Sequence, residues 1–357
     1  MSKVHNFSAG PCILPQEVMQ QASEALINFN DLNLSLIEIS HRSKDFVAVM
    51  EEAIDLVKEL LEVPEGYSVL FLQGGASLGF YMSAINLMKA GGSGAYVNTG
   101  SWSTKAIKEA KKLGGVQVLG SSEDKNFTYI PKGYTVPSEV DFLHLTSNNT
   151  IYGTQFKAFP ESPVPVICDM SSDIFSRKVN VADFGMIYAG AQKNMGPAGT
   201  TVYIVKDELL GHTGRDIPSM LDLAIHRGKD SMFNTPPVFA VYVSMLTLRW
   251  LKGQGGVGAI EQQNQAKADL LYSEVDRNPL FKGTAAIEDR SNMNATFVLT
   301  NEDLAETFNQ LVASANISGI KGHRSVGGFR ASMYNALPLD SVQVLVDVMK
   351  HLEQQFG

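Results

Sequence analysis

Hydrophobic residues along the first two-thirds of the chain follow two different spacings. Residues 45–63 carry apolar side chains at intervals of three and four positions, which predicts an amphipathic α-helix. Residues 68–73 form a short apolar run that ends at two glycines, a pattern typical of a buried β-strand. Further helical patterns (78–88, 102–113) alternate with runs of strand length at 94–100, 115–120, 141–146, 163–170, 184–190 and 200–205. This alternation predicts an α/β fold with a mostly parallel, doubly wound sheet.

The pattern changes near residue 255. A long helical pattern at 259–275 is followed by a strand pattern, a second helix, another strand pattern at 327–335, and a closing helix from about Leu339. This order predicts a smaller α+β domain. Because 357 residues is long for a single core, we expect two domains. The large domain is predicted at 16–255, and the small domain at 1–15 together with 256–357.

Composition narrows the class of protein. Apolar residues make up 44% and charged residues 18%, as in ordinary globular proteins. A net charge of −8 argues against nucleic-acid or anionic-membrane partners. No apolar run has the length of a membrane span, and the first residues lack a secretory pattern, so we expect a cytoplasmic protein. Two distant cysteines predict neither a disulfide nor a zinc site, and no metal site is expected.

Two glycine motifs match known signatures. The sequence GQGGVG at 253–258 fits the dinucleotide fingerprint, but a helical pattern precedes it where a strand is needed, so we interpret it as a helix end and linker. The sequence GASLG at 75–79 fits the nucleophile motif GxSxG, with a strand before it and a helix after it. Ser77 is therefore a candidate hydrolase nucleophile, with Asp169 or Asp173 and His323 as partners.

The same turn at 74–77 has a second interpretation. Its small residues open a helix, where backbone N–H groups and a hydroxyl bind phosphate well. Asp169 and Lys193 each follow an apolar strand, and neighbouring parallel strands end at one edge of a sheet. Taken singly, Asp169 is compatible with a turn aspartate, Lys193 with a loop lysine and Trp102 with a core residue.

Together, an amine, an acid, a phosphate site and an aromatic ring suit one cofactor, pyridoxal 5′-phosphate. Lys193 would form the Schiff base, Asp169 would pair with the pyridinium nitrogen, and Trp102 would cover the ring. We expect that small neighbours leave room for the cofactor and for movement of the amine: Ala191, Gly196 and Ala198. The remaining alternatives are a non-catalytic anion-binding protein and another enzyme with this cofactor that acts on small amino acids. A serine hydrolase explains neither Lys193 nor Trp102.

Basic residues suit a dianionic substrate. The sequence contains two His-Arg pairs, His41-Arg42 and His323-Arg324, and Arg330 lies within an otherwise apolar strand pattern. A guanidinium binds carboxylates in a bidentate manner, which makes Arg330 a candidate carboxylate ligand. The alternatives are a buried ion pair for Arg330 and a solvated surface for the two pairs.

Long irregular segments carry a family resemblance over nearly the whole chain: HNFSAGPCILP, EISHRSKDF, LFLQGGAS, GSWSTKAIKEAKK, AGAQKNMGPAG, SMFNTPP and KGHRSVGGFRASMYNALP. With these segments the chain resembles the phosphoserine aminotransferases, class V, fold type I enzymes that depend on pyridoxal phosphate. The resemblance implies amino-group exchange between glutamate or 2-oxoglutarate and 3-phosphohydroxypyruvate or O-phosphoserine, in serine biosynthesis. It leaves open a second substrate, 4-phosphohydroxythreonine, in pyridoxine biosynthesis. The resemblance also implies small-molecule substrates and a homodimer with shared active sites.

The resemblance also implies residue roles. Arg330 matches the ligand of the α-carboxylate, and the two His-Arg pairs match the distal anion site, with His41 and Arg42 contributed by the partner subunit. Asn234 and Thr235 match a pair that reaches the cofactor phosphate from the neighbouring subunit. Residues of the same chain that match cofactor ligands are Ala76, Ser77, Trp102, Thr150, Asp169, Gln192 and Lys193. Some family members have an arginine in place of Ser77, which leaves fewer positive groups near the distal anion here. Residues 120–140 match least well and receive no role.

Overall fold

The computed structural model describes residues 3–357. Its α-helices are α1 (Gln16–Ile27), α2 (Lys44–Leu60), α3 (Gly75–Leu87), α4 (Ser101–Ala110), α5 (Leu223–Arg227), α6 (Val238–Gly253), α7 (Gly256–Arg277), α8 (Ala305–Ser314) and α9 (Leu339–Phe356). Its first strands are β1 (His5–Asn6), β2 (Tyr67–Leu72), β3 (Ser93–Asn98), β4 (Gly115–Ser121), β5 (Phe142–Thr146), β6 (Asn148–Asn149) and β7 (Thr154–Gln155). The remaining strands are β8 (Val166–Asp169), β9 (Met186–Gly190), β10 (Thr201–Lys206), β11 (Phe281–Gly283), β12 (Asn294–Leu299), β13 (Ile317–Ser318) and β14 (Phe329–Ser332).

The central sheet has seven strands in the order β2-β10-β9-β8-β5-β3-β4. The pairs β3–β4, β3–β5, β5–β8 and β8–β9 are parallel, whereas β10 is antiparallel to both β9 and β2. The predicted α/β class with a mostly parallel sheet is therefore confirmed. The direction of β10 was not predicted, because its apolar run resembles those of the parallel strands.

Separate hydrophobic cores lie on the two faces of this sheet. Helices α1, α2 and α6 contribute buried residues to one core, and α3 and α4 contribute to the other. A further core joins α7, α8 and α9 to the antiparallel sheet β11-β12-β14, and it includes Phe7. Strand β1 pairs with β13, so the N-terminal residues lie with the C-terminal part of the chain. These contacts support the division of the chain into a large domain at 16–255 and a small domain at 1–15 and 256–357. The division stays a prediction.

The glycine motif at 253–258 lies between two helices. Helix α6 ends at Gly253 and α7 begins at Gly256, so no strand precedes the motif. This arrangement confirms the interpretation as a helix end and linker. No helix within residues 3–357 is both long and apolar enough to cross a membrane.

A buried lysine anchors the segment after β14. Lys267, on α7, is 1% exposed, and its Nζ donates to three backbone carbonyls. The acceptors are the oxygens of Met333 at 3.1 Å, Tyr334 at 2.8 Å and Leu337 at 3.1 Å. Burial lowers the pKa of Lys267 to about 7. The lysine thus fixes a segment that reaches the candidate site through Tyr334, whose hydroxyl donates to the Ala9 carbonyl at 2.8 Å.

Candidate active site

A cavity of about 360 Å³ lies beyond the carboxyl ends of β5 and β8, at the first turn of α3. Parallel strands with connecting helices leave an open crevice at this edge, which explains why polar side chains converge here. Nine of the predicted site residues line the cavity: Ala76, Ser77, Trp102, Thr150, Asp169, Gln192, Lys193, His323 and Arg330. The structure therefore brings together the amine, the acid, the aromatic ring and the helix turn.

The first turn of α3 offers free backbone donors to the cavity. Gly74 precedes the helix with φ of 102°, a left-handed conformation that glycine adopts without strain. The N–H groups of Gly75, Ala76 and Ser77 come before the first intrahelical hydrogen bond, which Leu78 donates to Gly74. Free N–H groups and the positive end of the helix dipole favour an anion such as a phosphate. Ser77 itself is exposed at this turn.

Asp169 is fixed with one carboxylate oxygen still free. The side chain is 5% exposed, and its Oδ1 accepts hydrogen bonds from the Ser171 amide at 2.9 Å and the Ser171 hydroxyl at 2.6 Å. Within residues 3–357, no protein donor pairs with Oδ2. Burial raises the pKa of Asp169, while the Ser171 hydrogen bonds and the charge of Lys193 oppose that rise. The free oxygen can accept a hydrogen bond from a protonated ring nitrogen of a ligand in the cavity.

Lys193 presents its amine to the same cavity. Nζ lies 3.4 Å from the Thr150 hydroxyl and 5.8 Å from the centroid of the Trp102 ring. Burial lowers the pKa of Lys193, and the negative charge of Asp169 acts in the opposite direction. A lysine with a lowered pKa is a better nucleophile and base near neutral pH than a solvated one.

The space around Lys193 has a different origin from the one predicted. Ala191 is fully buried and does not line the cavity, and a side chain at Gly196 would collide with Ser244, its Cβ lying 2.5 Å from the hydroxyl oxygen. Ala198 is exposed and does not line the cavity. The predicted role of these three residues in lining the space around the amine is therefore wrong, and Gly196 instead permits close packing on α6.

The N-terminal segment supplies that space instead. A Cβ atom at Gly10 would lie 3.3 Å from Cγ of Lys193, and φ of 133° at Gly10 also favours glycine. The Cys12 thiol, two residues on, donates to the Lys193 carbonyl at 2.6 Å. Ala9 and Gly10 both line the cavity, so a segment distant in sequence packs along the lysine.

Arg330 has no acidic partner. It is half-buried on β14, and its Nη1 donates to the Thr150 carbonyl at 3.4 Å. Its Nε is buried without a hydrogen-bond partner, and no carboxylate in residues 3–357 forms an ion pair with it. Burial lowers the pKa of Arg330, as expected for a cation without a counter-ion. The alternative of a buried protein ion pair is therefore wrong, and the guanidinium is available to a ligand.

The remaining predicted residues lie outside the cavity: His41, Arg42, Asn234, Thr235 and Arg324. Arg42, Thr235 and Arg324 are exposed. Thr235 is held by Gln73, whose Nε2 donates to its carbonyl at 3.0 Å. None of these five residues lines the cavity of its own chain, although Arg324 directly follows His323, which does.

The hydrolase alternative lacks a proton relay. The Asp173 carboxylate is occupied by Ser147, by Gln155 and by Arg177. His323 pairs through Nδ1 with the Ser325 hydroxyl at 2.7 Å. In the part of the chain that the structure describes, no hydrogen bond joins Ser77 to His323.

Several residues near the site have no strong signal in the sequence. Ser171 could have been suspected from the polar run after Asp169, but its hydrogen bonds depend on the turn. Asn148, which lines the cavity, donates to Asn294 Oδ1 at 2.8 Å, and Asn294 donates to the hydroxyls of Ser332 and Tyr334 at 2.9 and 3.3 Å. These buried amides connect strands of both predicted domains, and such contacts follow no sequence spacing.

Residues 4–345 match the family Aminotransferase class-V. The chain belongs to the class-V aminotransferases. A curated relative, phosphoserine aminotransferase of Flavobacterium johnsoniae, is 63% identical over 99% of both chains. The phosphoserine aminotransferase of Bacteroides fragilis is 54% identical, again with 99% of both chains covered. Family membership confirms the predicted enzyme class and its cofactor, pyridoxal phosphate.

Solved structures agree with this class-V assignment. Phosphoserine aminotransferase from Bacillus circulans subsp. alkalophilus has a TM-score of 0.96 at 43% identity, with 99% of each chain covered. The phosphoserine aminotransferase from Trichomonas vaginalis, solved with pyridoxal phosphate bound, has a TM-score of 0.93 at 35% identity, covering 98% of this chain and all of the other. These likenesses confirm the predicted fold type.

Proposed function

We propose that this class-V aminotransferase is a phosphoserine transaminase. It would exchange an amino group between glutamate or 2-oxoglutarate and O-phosphoserine or 3-phosphohydroxypyruvate, a step of serine biosynthesis. The phosphoserine aminotransferase of Flavobacterium johnsoniae, 63% identical to this chain, supports this substrate pair. The structural observation that carries the proposal is the unpaired Arg330 guanidinium in the cavity that also holds Lys193. Both amino-acid substrates have an α-carboxylate for this arginine.

The residues of the cavity fit the cofactor. The free N–H groups at 75–77 suit its phosphate, Oδ2 of Asp169 suits its ring nitrogen, and Trp102 forms a wall for its ring. When bound, pyridoxal phosphate supplies an electron-withdrawing ring that makes the substrate Cα acidic. The negative charge of Asp169 favours protonation of that ring nitrogen.

Lys193 is the proposed general base and acid. Burial lowers the pKa of Lys193, which favours the neutral form of the amine, and Nζ in that form would take the proton from the substrate Cα. The Thr150 hydroxyl, 3.4 Å from Nζ, orients the amine. Arg330 orients the substrate by its α-carboxylate, and it is tied to Thr150 through the backbone carbonyl at 3.4 Å.

We also propose a homodimer with shared sites. In it, His41 and Arg42 would contribute to the distal anion site of the partner, and Asn234 and Thr235 to its cofactor phosphate. Their position outside the cavity of their own chain supports this arrangement. Large apolar side chains are exposed in the segment leading to His41, including Ile27 (80%) and Ile37 (62%). Apolar exposure of this kind is typical of a subunit contact. We place the enzyme in the cytoplasm.

The visible spectrum of the purified protein, recorded before and after addition of glutamate, tests the proposal. We expect a visible band from the cofactor on Lys193 that disappears with glutamate and returns with 3-phosphohydroxypyruvate. A band that returns only with other keto acids contradicts the proposed substrate. A protein that stays colourless with added pyridoxal phosphate and reacts with a fluorophosphonate contradicts the whole proposal and favours the Ser77 hydrolase.

A further inference from the structure

The cavity has few cations for a substrate with two anionic groups. Its lining cations are Lys193, His323 and Arg330. In the proposed function Lys193 holds the cofactor and Arg330 binds the α-carboxylate. Apart from His41 and Arg42, which we propose the partner subunit contributes, the phosphate then meets only His323 among the cations that line the cavity. Burial together with nearby positive charges lowers the pKa of His323. Ser77, at the first turn of α3, adds no charge.

Lys105 stands beside this cavity without an acidic partner. It lies on α4 one turn after Trp102, and its Nζ is 4.3 Å from the centroid of the Trp102 ring. No carboxylate in residues 3–357 forms an ion pair with it, although its side chain is exposed. Its charge is also one of those that lower the pKa of His323. The ammonium thus lies over the ring of Trp102, which lines the cavity, and near enough to His323 for its charge to act on that imidazole.

We propose that Lys105 is a specificity-determining residue that attracts the phosphate of the phosphorylated substrate. The inference rests on the proposed function. A phosphate carries a charge of about −1.5 to −2 near pH 7, whereas the distal carboxylate of glutamate carries one charge. Because Coulomb energy scales with charge, Lys105 favours the phosphorylated substrate over glutamate. The contact with the Trp102 ring holds the long side chain beside the cavity.

The test compares the holoenzyme with Lys105→Met, Lys105→Arg and the matched control Lys108→Met. Lys108 lies one turn further on α4, is exposed and has no acidic partner within the described chain. For Lys105→Met we expect kcat/KM for O-phosphoserine to fall about tenfold, and for glutamate at most about threefold. The loss should shrink at about 1 M salt, where charges are screened beyond about 3 Å. Lys105→Arg and Lys108→Met should keep the wild-type preference.

Equal losses for the two substrates, or an unchanged preference in Lys105→Met, overturn the inference. A similar loss in Lys108→Met also overturns it, because the effect would then come from the general charge of α4. The wild-type reaction with O-phosphoserine is measured first. Its absence refutes the proposed function, whereas its presence with an unchanged Lys105→Met preference refutes the role of Lys105 alone.

Discussion

Arg330→Leu removes the cation that we assign to the substrate α-carboxylate. Leucine is apolar and unbranched at Cβ, so it can occupy a half-buried position on β14 without leaving a polar group. The guanidinium makes a single hydrogen bond in the described chain, 3.4 Å long, to the Thr150 carbonyl. We therefore expect the free energy of unfolding to change by less than about 1 kcal/mol, because no ion pair is broken.

The effect on catalysis should be much larger. A hydrogen bond to a charged group contributes about 1.5 to 3 kcal/mol, and a bidentate guanidinium–carboxylate pair makes two of them. The expected loss of about 3 to 6 kcal/mol corresponds to a decrease in kcat/KM of about 10² to 10⁴. Glutamate and O-phosphoserine should be affected alike, since both present an α-carboxylate.

Each half-reaction can be followed separately by the visible absorbance of the bound cofactor. Arg330→Lys keeps the charge but not the planar fork, and we expect it to recover only part of the activity. Arg277→Leu is a comparison variant outside the cavity: it breaks the ion pairs with Glu274 and Glu353, so it should lower stability, but it should leave kcat/KM for both substrates unchanged. A loss confined to O-phosphoserine would show that Arg330 binds the phosphate, and undiminished activity with both substrates would refute its role.

Three further predictions concern buried ionisable groups. Lys193→Ala should keep the fold but lose the visible band and turnover on reconstitution with pyridoxal phosphate; retained turnover contradicts the assignment. Asp169→Asn keeps an oxygen that can accept hydrogen bonds from Ser171, so the circular dichroism spectrum should be unchanged. Turnover should fall at least about 100-fold, because breaking a buried charge pair costs about 3 kcal/mol. A turnover within threefold of wild type, about 0.65 kcal/mol, would refute the ring-nitrogen contact. Burial lowers the pKa of Lys267 from its usual 10.5 to about 7 in the folded protein. Between these two pH values the unfolded chain binds more protons than the folded one. The contribution of Lys267 to stability therefore rises with pH in that window. The free energy of unfolding of wild type minus that of Lys267→Met should therefore increase from pH 7 to pH 10 in urea titrations, and a flat difference refutes the lowered pKa.

Much of the fold follows from local patterns. Helix α9 begins at Leu339 as predicted, since its spacing of apolar residues starts directly after Pro338. Asp169 and Lys193 could be assigned to one crevice because the carboxyl ends of neighbouring parallel strands meet at one edge. The motif at 75–79 was informative for the same reason, since a helix that follows a strand begins at that edge. Local spacing together with one rule of topology was sufficient for these positions.

Contacts between segments far apart in the sequence could not be predicted from local spacing. The direction of β10, the packing of Gly196 against Ser244, the approach of Gly10 to Lys193 and the hydrogen bonds between Asn148 and Asn294 all join residues far apart in sequence. The lack of an acid beside Arg330 belongs to the same group, because it depends on which side chains surround it in space.

The sequence by itself determined the alternation of helices and strands, and it supplied the residue types of a cofactor site. Backbone periodicity and turn preferences act over a few residues, so they can be read in order along the chain. The tertiary structure alone decided which of these groups have free hydrogen-bonding capacity: one oxygen of Asp169, the Arg330 guanidinium and the first N–H groups of α3. Burial and pairing in space set the charge state and availability of a side chain, and both depend on neighbours that chain folding brings together.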